Sequence, residues 1–232
     1  MKSSLGRRVA AELIGTAFLL AAVVGSGIMG ERLAGGNVAI ALLANTIATG
    51  AALVALILAF GGISGAHLNP VVTMAGAIEG EFPWSESPAY IFAQIFGAVC
   101  GAITANVMFG LPVISISRHA RSGWAQVFSE FEATFGLVCV IRGCSRLRPN
   151  VVAFAVGAYI TAAYWFTAST SFANPAVTLA RSLSDTFSGI RPGDIPGFLL
   201  AQLAGGIAGT YLFRWLAPAV PSAAKAPLDA RS

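Results

Sequence analysis

The stretches Ser64-Gly65-Ala66-His67-Leu68-Asn69-Pro70-Val71 and Ser171-Phe172-Ala173-Asn174-Pro175-Ala176-Val177 decide the fold of this chain. Each sets Asn-Pro ahead of a segment able to start a helix. Asn is a strong helix N-cap, because its side-chain oxygen accepts from backbone N–H groups that have no partner inside the helix. Pro suits the first helical turn, where its missing donor is not needed. Both stretches lie between long apolar runs, which predicts that both sit at membrane depth. Irregular backbone survives there only when protein buries it or when it lines a wet cavity. Two helix N-termini meeting at the midplane would bring two positive dipole ends to one place. Asn-Pro alone often marks only a turn; its recurrence in two similar halves is a specific signal.

Composition sets the surroundings. Of 232 residues, 56% are hydrophobic and 10% charged, with a mean hydropathy of +0.76. Soluble domains carry about 25% charged residues, so the chain reads as an integral membrane protein. The run from about Val9 to Met29 is long enough to span by itself and is read as a span, not a removable signal. Apolar runs predict an all-α protein with helices at 8–29, 38–60, 88–109, 126–142, 151–168 and 196–216, and half-helices at 69–78 and 174–184. Glycine is abundant, at 26 residues, as close helix packing in lipid requires. Gly97 and Gly101 form a GxxxG pair on the third span, and Gly205 and Gly209 on the sixth.

An internal repeat fixes the topology. Glu12-Leu-Ile-Gly-Thr16 opens one half and Glu130-Phe-Glu-Ala-Thr134 the other. Three full spans per half force opposite orientations on the halves, with the site at their interface. The single channel domain is expected over 1–218, with halves at about 5–110 and 124–217. A small, Pro-containing tail at 219–232 is expected to be disordered.

The net charge of +4 reads as topology and not as nucleic-acid binding, since no basic and aromatic residues interleave. With both termini cytoplasmic, the inner side holds Lys2, Arg7, Arg8, Arg142, Arg146, Arg148, Arg214, Lys225 and Arg231. The outer side holds Arg32, Arg118, Arg121, Arg181 and Arg191. Nine against five follows the positive-inside rule. Cys100, Cys139 and Cys144 show no metal spacing and are expected as free thiols. No cofactor and no metal is expected, and no nucleophile–base set or phosphate-binding loop points to an enzyme.

The paired Asn-Pro motifs and the matched glutamates resemble those of the major intrinsic protein family, the aquaporins and aquaglyceroporins, over roughly residues 5–217. The resemblance implies an aquaporin-like fold of six spans plus two re-entrant half-helices, one pore per subunit, a homotetramer and a place in the plasma (inner) membrane. It implies that the amides of Asn69 and Asn174 donate to a passing solute, beside Pro70, Val71, Pro175 and Ala176. The residues alone also permit two simple helix caps. Val71 stands where the family usually has Ala; it either reshapes the waist or packs against the opposite Pro. The resemblance places His67 on the pore near the cytoplasmic side. It also gives Glu12 and Glu130 the task of accepting from backbone N–H groups of the re-entrant loops. Gly65, Ala66 and Phe172 precede the motifs, where extended backbone would offer a ladder of carbonyl acceptors. Glu132 has Ile14 as its counterpart and receives no role.

The family's narrow outer filter maps onto Thr49, Ala162, Ser171 and Val177 when no insertion intervenes. That ring would have no aromatic and no cation. Arg181, one helical turn beyond Val177, either returns a positive charge to the vestibule or pairs with Asp185. The run from Asn174 to Asp194 looks like that of bacterial arsenic-resistance-associated aquaglyceroporins of the AqpS type. The resemblance therefore implies a passive, wide channel for glycerol, urea, water and metalloid acids such as arsenite and antimonite, extending to methylated arsenicals. An ordinary water channel and a closed-pore membrane scaffold are the other readings.

Overall fold

The computed structural model describes residues 3–217, so the tail at 219–232 lies outside the described residues. The helices are α1 (Leu5–Leu33), α2 (Val38–Ser64), α3 (Pro70–Ile78), α4 (Ser87–Met108), α5 (Trp124–Leu147), α6 (Val152–Phe166), α7 (Pro175–Arg181) and α8 (Ile195–Leu216). The order long, long, short, long occurs twice, over α1–α4 and α5–α8. Each half thus holds three long helices, an odd number, and the halves run in opposite senses. The second half-helix stops at Arg181, one turn earlier than the sequence suggests.

Five helices are long and apolar enough to cross a membrane by length and composition. The long helix outside that set, α5, carries Glu130, Glu132, Arg142 and Arg146. Each long helix turns one stripe inward and leaves apolar residues outside. On α1, Glu12, Thr16, Leu19, Val23 and Gly27 are buried at helical spacing, whereas Phe18 is 61% exposed. Phe92 and Leu200 are exposed to 71% and 69% on other helices. Such a continuous apolar exterior would be a liability in water; in lipid it costs nothing.

Helix pairs close through glycine. A Cβ on Gly97 or Gly101 would lie 2.3 Å from the Leu13 carbonyl oxygen or 2.1 Å from that of Ala17, so α4 lies backbone-to-backbone on α1. The second half repeats this: Gly205 and Gly209 face the carbonyl oxygens of Phe131 and Phe135 at 2.4 and 2.8 Å, joining α8 to α5. The halves meet along α2 and α6, where a Gly157 Cβ would come within 2.7 Å of the Gly50 carbonyl oxygen.

The half-helices have nine and seven residues. At 1.5 Å per residue they are about 13 and 10 Å long, too short to cross alone. Asn69 caps α3 through Val71 N (2.9 Å), and Asn174 caps α7 through Ala176 N (3.0 Å). On one face of the bundle, the turn after α3 is held by Arg8–Glu86, Arg142–Glu81 and Arg146–Glu79. On the other, Arg118 binds Asp185 through its backbone N–H and Nε, at 2.9 and 3.0 Å.

Candidate functional site

The backbone leading to each Asn is not extended, contrary to the sequence expectation. Gly65, Ala66 and Leu68 have φ of 91°, 46° and 48°; Thr170, Ser171 and Ala173 have 60°, 49° and 48°. The two sets occupy the same offsets before Asn69 and Asn174. Non-glycine residues adopt left-handed φ only under constraint, and the constraint here is a buried carboxylate. Alternation of conformation turns successive N–H groups to one side as an anion-binding nest. Glu12 accepts from His67 N and Leu68 N at 3.0 and 2.7 Å; Glu130 accepts from Phe172 N and Ala173 N at 2.8 and 2.9 Å. In a trans peptide the carbonyl opposes the N–H. The carbonyls of Ala66 and His67, and of Ser171 and Phe172, therefore turn away from the carboxylates.

Two glutamines complete the frame. Gln94 donates to Glu12 (2.8 Å) and Thr73 (2.9 Å), and Gln202 to Glu130 (2.6 Å) and Thr178 (2.8 Å). Sequence reasoning missed both. The signal was there: Gln94-Ile-Phe-Gly97-Ala-Val-Cys-Gly101 and Gln202-Leu-Ala-Gly205-Gly-Ile-Ala-Gly209 share Gln-x-x-Gly-x-x-x-Gly.

The two half-helices meet tip to tip through their Asn side chains. Asn69 Nδ2 donates to the Ala173 carbonyl and Asn174 Nδ2 to the Leu68 carbonyl, each at 2.8 Å. Each amide has two N–H donors, so one stays uncommitted on each side chain. A cavity of about 200 Å³ passes these amides. Its walls include Gly65, Ala66, His67, Asn69, Phe172, Asn174, Thr49, Ser171, Val177 and Arg181 from the predicted set. At one end stand Glu81, Phe82, Arg142 and Ser145; at the other, Thr49, Tyr164 and Arg181. His67 sits 3.1 Å from the Thr73 hydroxyl and packs edge-on against Phe82.

The structure corrects the expectations for Ala162 and Val71 and decides between the two for Arg181. Ala162 is exposed on the far face of α6, and Tyr164 stands in the wall in its place, its hydroxyl 3.3 Å from that of Thr49. Two residues along a helix reverse direction, and the connection to Ser171 is two residues shorter than the assumed spacing allows. The ring consequently does have an aromatic. Of the two readings of Arg181, the positive charge near the ring holds, because Arg181 is 1% exposed and in the wall. Arg181 does not pair with Asp185, which is held by Arg118; these hydrogen bonds keep the Asp185 carboxyl below the usual carboxylate range. Finally, Val71 points away from the cavity and packs with Ala75 and Val138 against α8, where a Gly206 Cβ would collide with it at 2.2 Å. Pro70, Pro175 and Ala176 are buried outside the wall, where they shape the half-helices.

Arg121 was also missed. It is 7% exposed and donates to the carbonyls of Gly189 (2.8 Å) and Ser169 (3.0 Å), bracing the second re-entrant loop. Burial pushes its guanidinium down to about 10. Glu132 lies exposed on the outside of α5, away from both mouths.

An inverted pair of capped half-spans around one passage defines a membrane channel. The chain belongs to the major intrinsic protein family, whose model, Major intrinsic protein, matches residues 1–148. It is 53% identical over 212 residues to Aquaglyceroporin AqpS of Rhizobium meliloti, covering 91% of each chain. It is 31% identical over 230 residues to Aquaporin NIP2-3 of Zea mays, covering 95% of this chain and 73% of that one. The X-ray structure of the aquaglyceroporin from Plasmodium falciparum shares the fold, with TM-score 0.70, 21% identity, and coverage of 91% of this chain and 95% of that one.

Proposed function

We propose that the chain is a passive channel of the aquaglyceroporin kind in the plasma (inner) membrane. Residues 1–218 form one channel unit, four copies assemble as a homotetramer, and both termini are cytoplasmic. The observation that carries this reading is the passage itself: one cavity, bounded at its waist by two Asn amides that each keep a free donor. One wall offers backbone carbonyls and amide donors. The opposite wall is apolar, from Leu19, Val23, Leu53, Ile57, Leu137 and Ile160. A polyol or urea can hydrogen-bond along one side while its carbon skeleton slides along the other. Cations meet two helix N-termini at the waist and the Arg181 charge at one end, and are repelled.

The solutes proposed are glycerol, urea, water and undissociated metalloid acids such as arsenite and antimonite. An aromatic and a cation at the Arg181 end favour a glycerol-type ring over the unguarded ring read from sequence. The kinship with Aquaglyceroporin AqpS supports the same class.

Stopped-flow light scattering on proteoliposomes tests this. Glycerol and urea flux well above that of empty vesicles is expected. Val177→Arg should lower glycerol and urea flux more than water flux, because a second guanidinium one turn from Arg181 fills the ring. Water flux without glycerol or urea flux would overturn the solute class, and absence of all flux would overturn the channel.

A further inference from the structure

The end of the passage away from Arg181 carries a guanidinium held by a single carboxylate. Arg142 lies in the wall, and its side chain is 4% exposed. Its one hydrogen bond among the described residues runs from Nη1 to Glu81 Oε2, at 2.5 Å. Its Nε is buried without a partner. Gly76 lies in the same wall, and a Cβ there would sit 3.8 Å from Arg142 Nη2, 3.8 Å from His67 Cε1 and 3.4 Å from Phe82 Cβ. Guanidinium, imidazole and phenyl group thus gather around one bare glycine and form a collar.

The ion pair is lopsided. The Glu81 side chain is 53% exposed, so its carboxylate is hydrated with or without the arginine. The arginine depends on the carboxylate, because a buried charge stripped of its partner is costly. The turn after α3 keeps that carboxylate in place: Glu81 N and Phe82 N both donate to the Gly76 carbonyl, at 3.0 and 3.2 Å. The neighbouring carboxylates are engaged elsewhere, Glu79 with Arg146 and Glu86 with Arg8. Arg146 stands one turn along α5 from Arg142, and like charges at that spacing repel. For a guanidinium released from Glu81, the nearest polar medium is the passage itself.

We propose that Glu81 is a positioning residue: it holds Arg142 against the wall and so sets the bore of this collar for solutes larger than water. This rests on reading the cavity as a solute passage.

Two measurements on the full chain test it. Stopped-flow light scattering on proteoliposomes gives glycerol and water flux per reconstituted channel. Glu81→Gln should lower glycerol flux severalfold and water flux less, since single water molecules pass a bore that glycerol does not. Adding Arg142→Met to Glu81→Gln should restore most of the glycerol flux. A purely structural loss would deepen, because a second contact is removed; the coupling of the two changes separates the cases. Arg148→Met, which removes an exposed arginine of the same end, should conduct as wild type. The second measurement needs no flux. Phenylglyoxal modifies accessible guanidinium groups, and peptide mass spectrometry of the solubilised protein reads the rate at Arg142 against that at exposed Arg148. Arg142 should react slowly in wild type and severalfold faster in Glu81→Gln.

An unchanged modification rate in Glu81→Gln, a deeper loss in the double variant, or the same glycerol loss in Arg148→Met would overturn the positioning role. If Glu81→Gln does not fold, Glu81→Asp decides, its carboxylate being one carbon short of Arg142: a lower glycerol-to-water ratio with faster modification supports the role, and no change in either refutes it. Faster modification with no solute flux even in wild type would leave Arg142 positioned by Glu81 and sink the channel reading. Glycerol flux that ignores Glu81→Gln would do the reverse.

Discussion

Glu12 and Glu130 perform one task with unequal support. Glu12 accepts four hydrogen bonds, from Ser64, His67 N, Leu68 N and Gln94, whereas Glu130 accepts three, from Phe172 N, Ala173 N and Gln202. Replacing either by Gln turns one acceptor oxygen into a donor facing a backbone donor. Bonds to a charged acceptor contribute about 1.5–3 kcal/mol each, so Glu130→Gln should destabilise the solubilised protein by about 3 kcal/mol. Glu12→Gln should cost more, because a second partner is stranded. Thermal unfolding in detergent ranks the two, and a Glu12→Gln protein as stable as Glu130→Gln would sink the comparison. Both glutamates were legible in the sequence because duplication exposed them. Tyr164 was not, for its place depends on how many residues connect α6 to Ser171, and counting back from Asn174 cannot sense a shortened connection. Arg181 was legible as a cation near the ring, but its burial was not. Its partner is the Ser188 carbonyl, and a backbone acceptor leaves no mark on residue type.

Among elements, the controlling contacts are the glycine seams. The GxxxG pairs were visible as spacing, and the seams they form join the first long helix of each half to the last. The sequence could not assign those partners, because a small face fits any neighbour until the topology closes. Gly101→Leu should therefore be severe. Its Cβ alone would sit 2.1 Å from the Ala17 carbonyl and 2.8 Å from Leu20 Cβ. Overpacking commonly costs about 1–3 kcal/mol, and here the obstacle is backbone, which yields least. Gly61 on α2 is the control, since nothing lies within 4 Å of its Cβ position. Gly61→Ala should be neutral or stabilising by up to about 1 kcal/mol through helix propensity. The measurement is the yield of monodisperse protein and its unfolding temperature. Equal behaviour of the two variants would mean that the α1–α4 approach does not limit stability.

For the whole molecule, the inverted halves leave orientation undetermined, since the scaffold is nearly the same either way up. Charge decides it. Three arginines on the Arg142 face are engaged with glutamates, Arg8 with Glu86, Arg142 with Glu81 and Arg146 with Glu79. Net charge would thus discount that face. Insertion, however, responds to Lys and Arg near the ends of spans, and acidic residues contribute little. The Arg142 face should be cytoplasmic despite its ion pairs. In a background with Cys100, Cys139 and Cys144 changed to Ser, single Arg118→Cys and Arg148→Cys variants report each face, since both positions are exposed. The bias survives both substitutions, nine against four and eight against five. A membrane-impermeant maleimide applied to intact cells should label Cys at 118 at once, and Cys at 148 only after permeabilisation. The opposite pattern would invert the channel, and the Arg181 end would then meet solutes leaving the cytoplasm instead of those entering it.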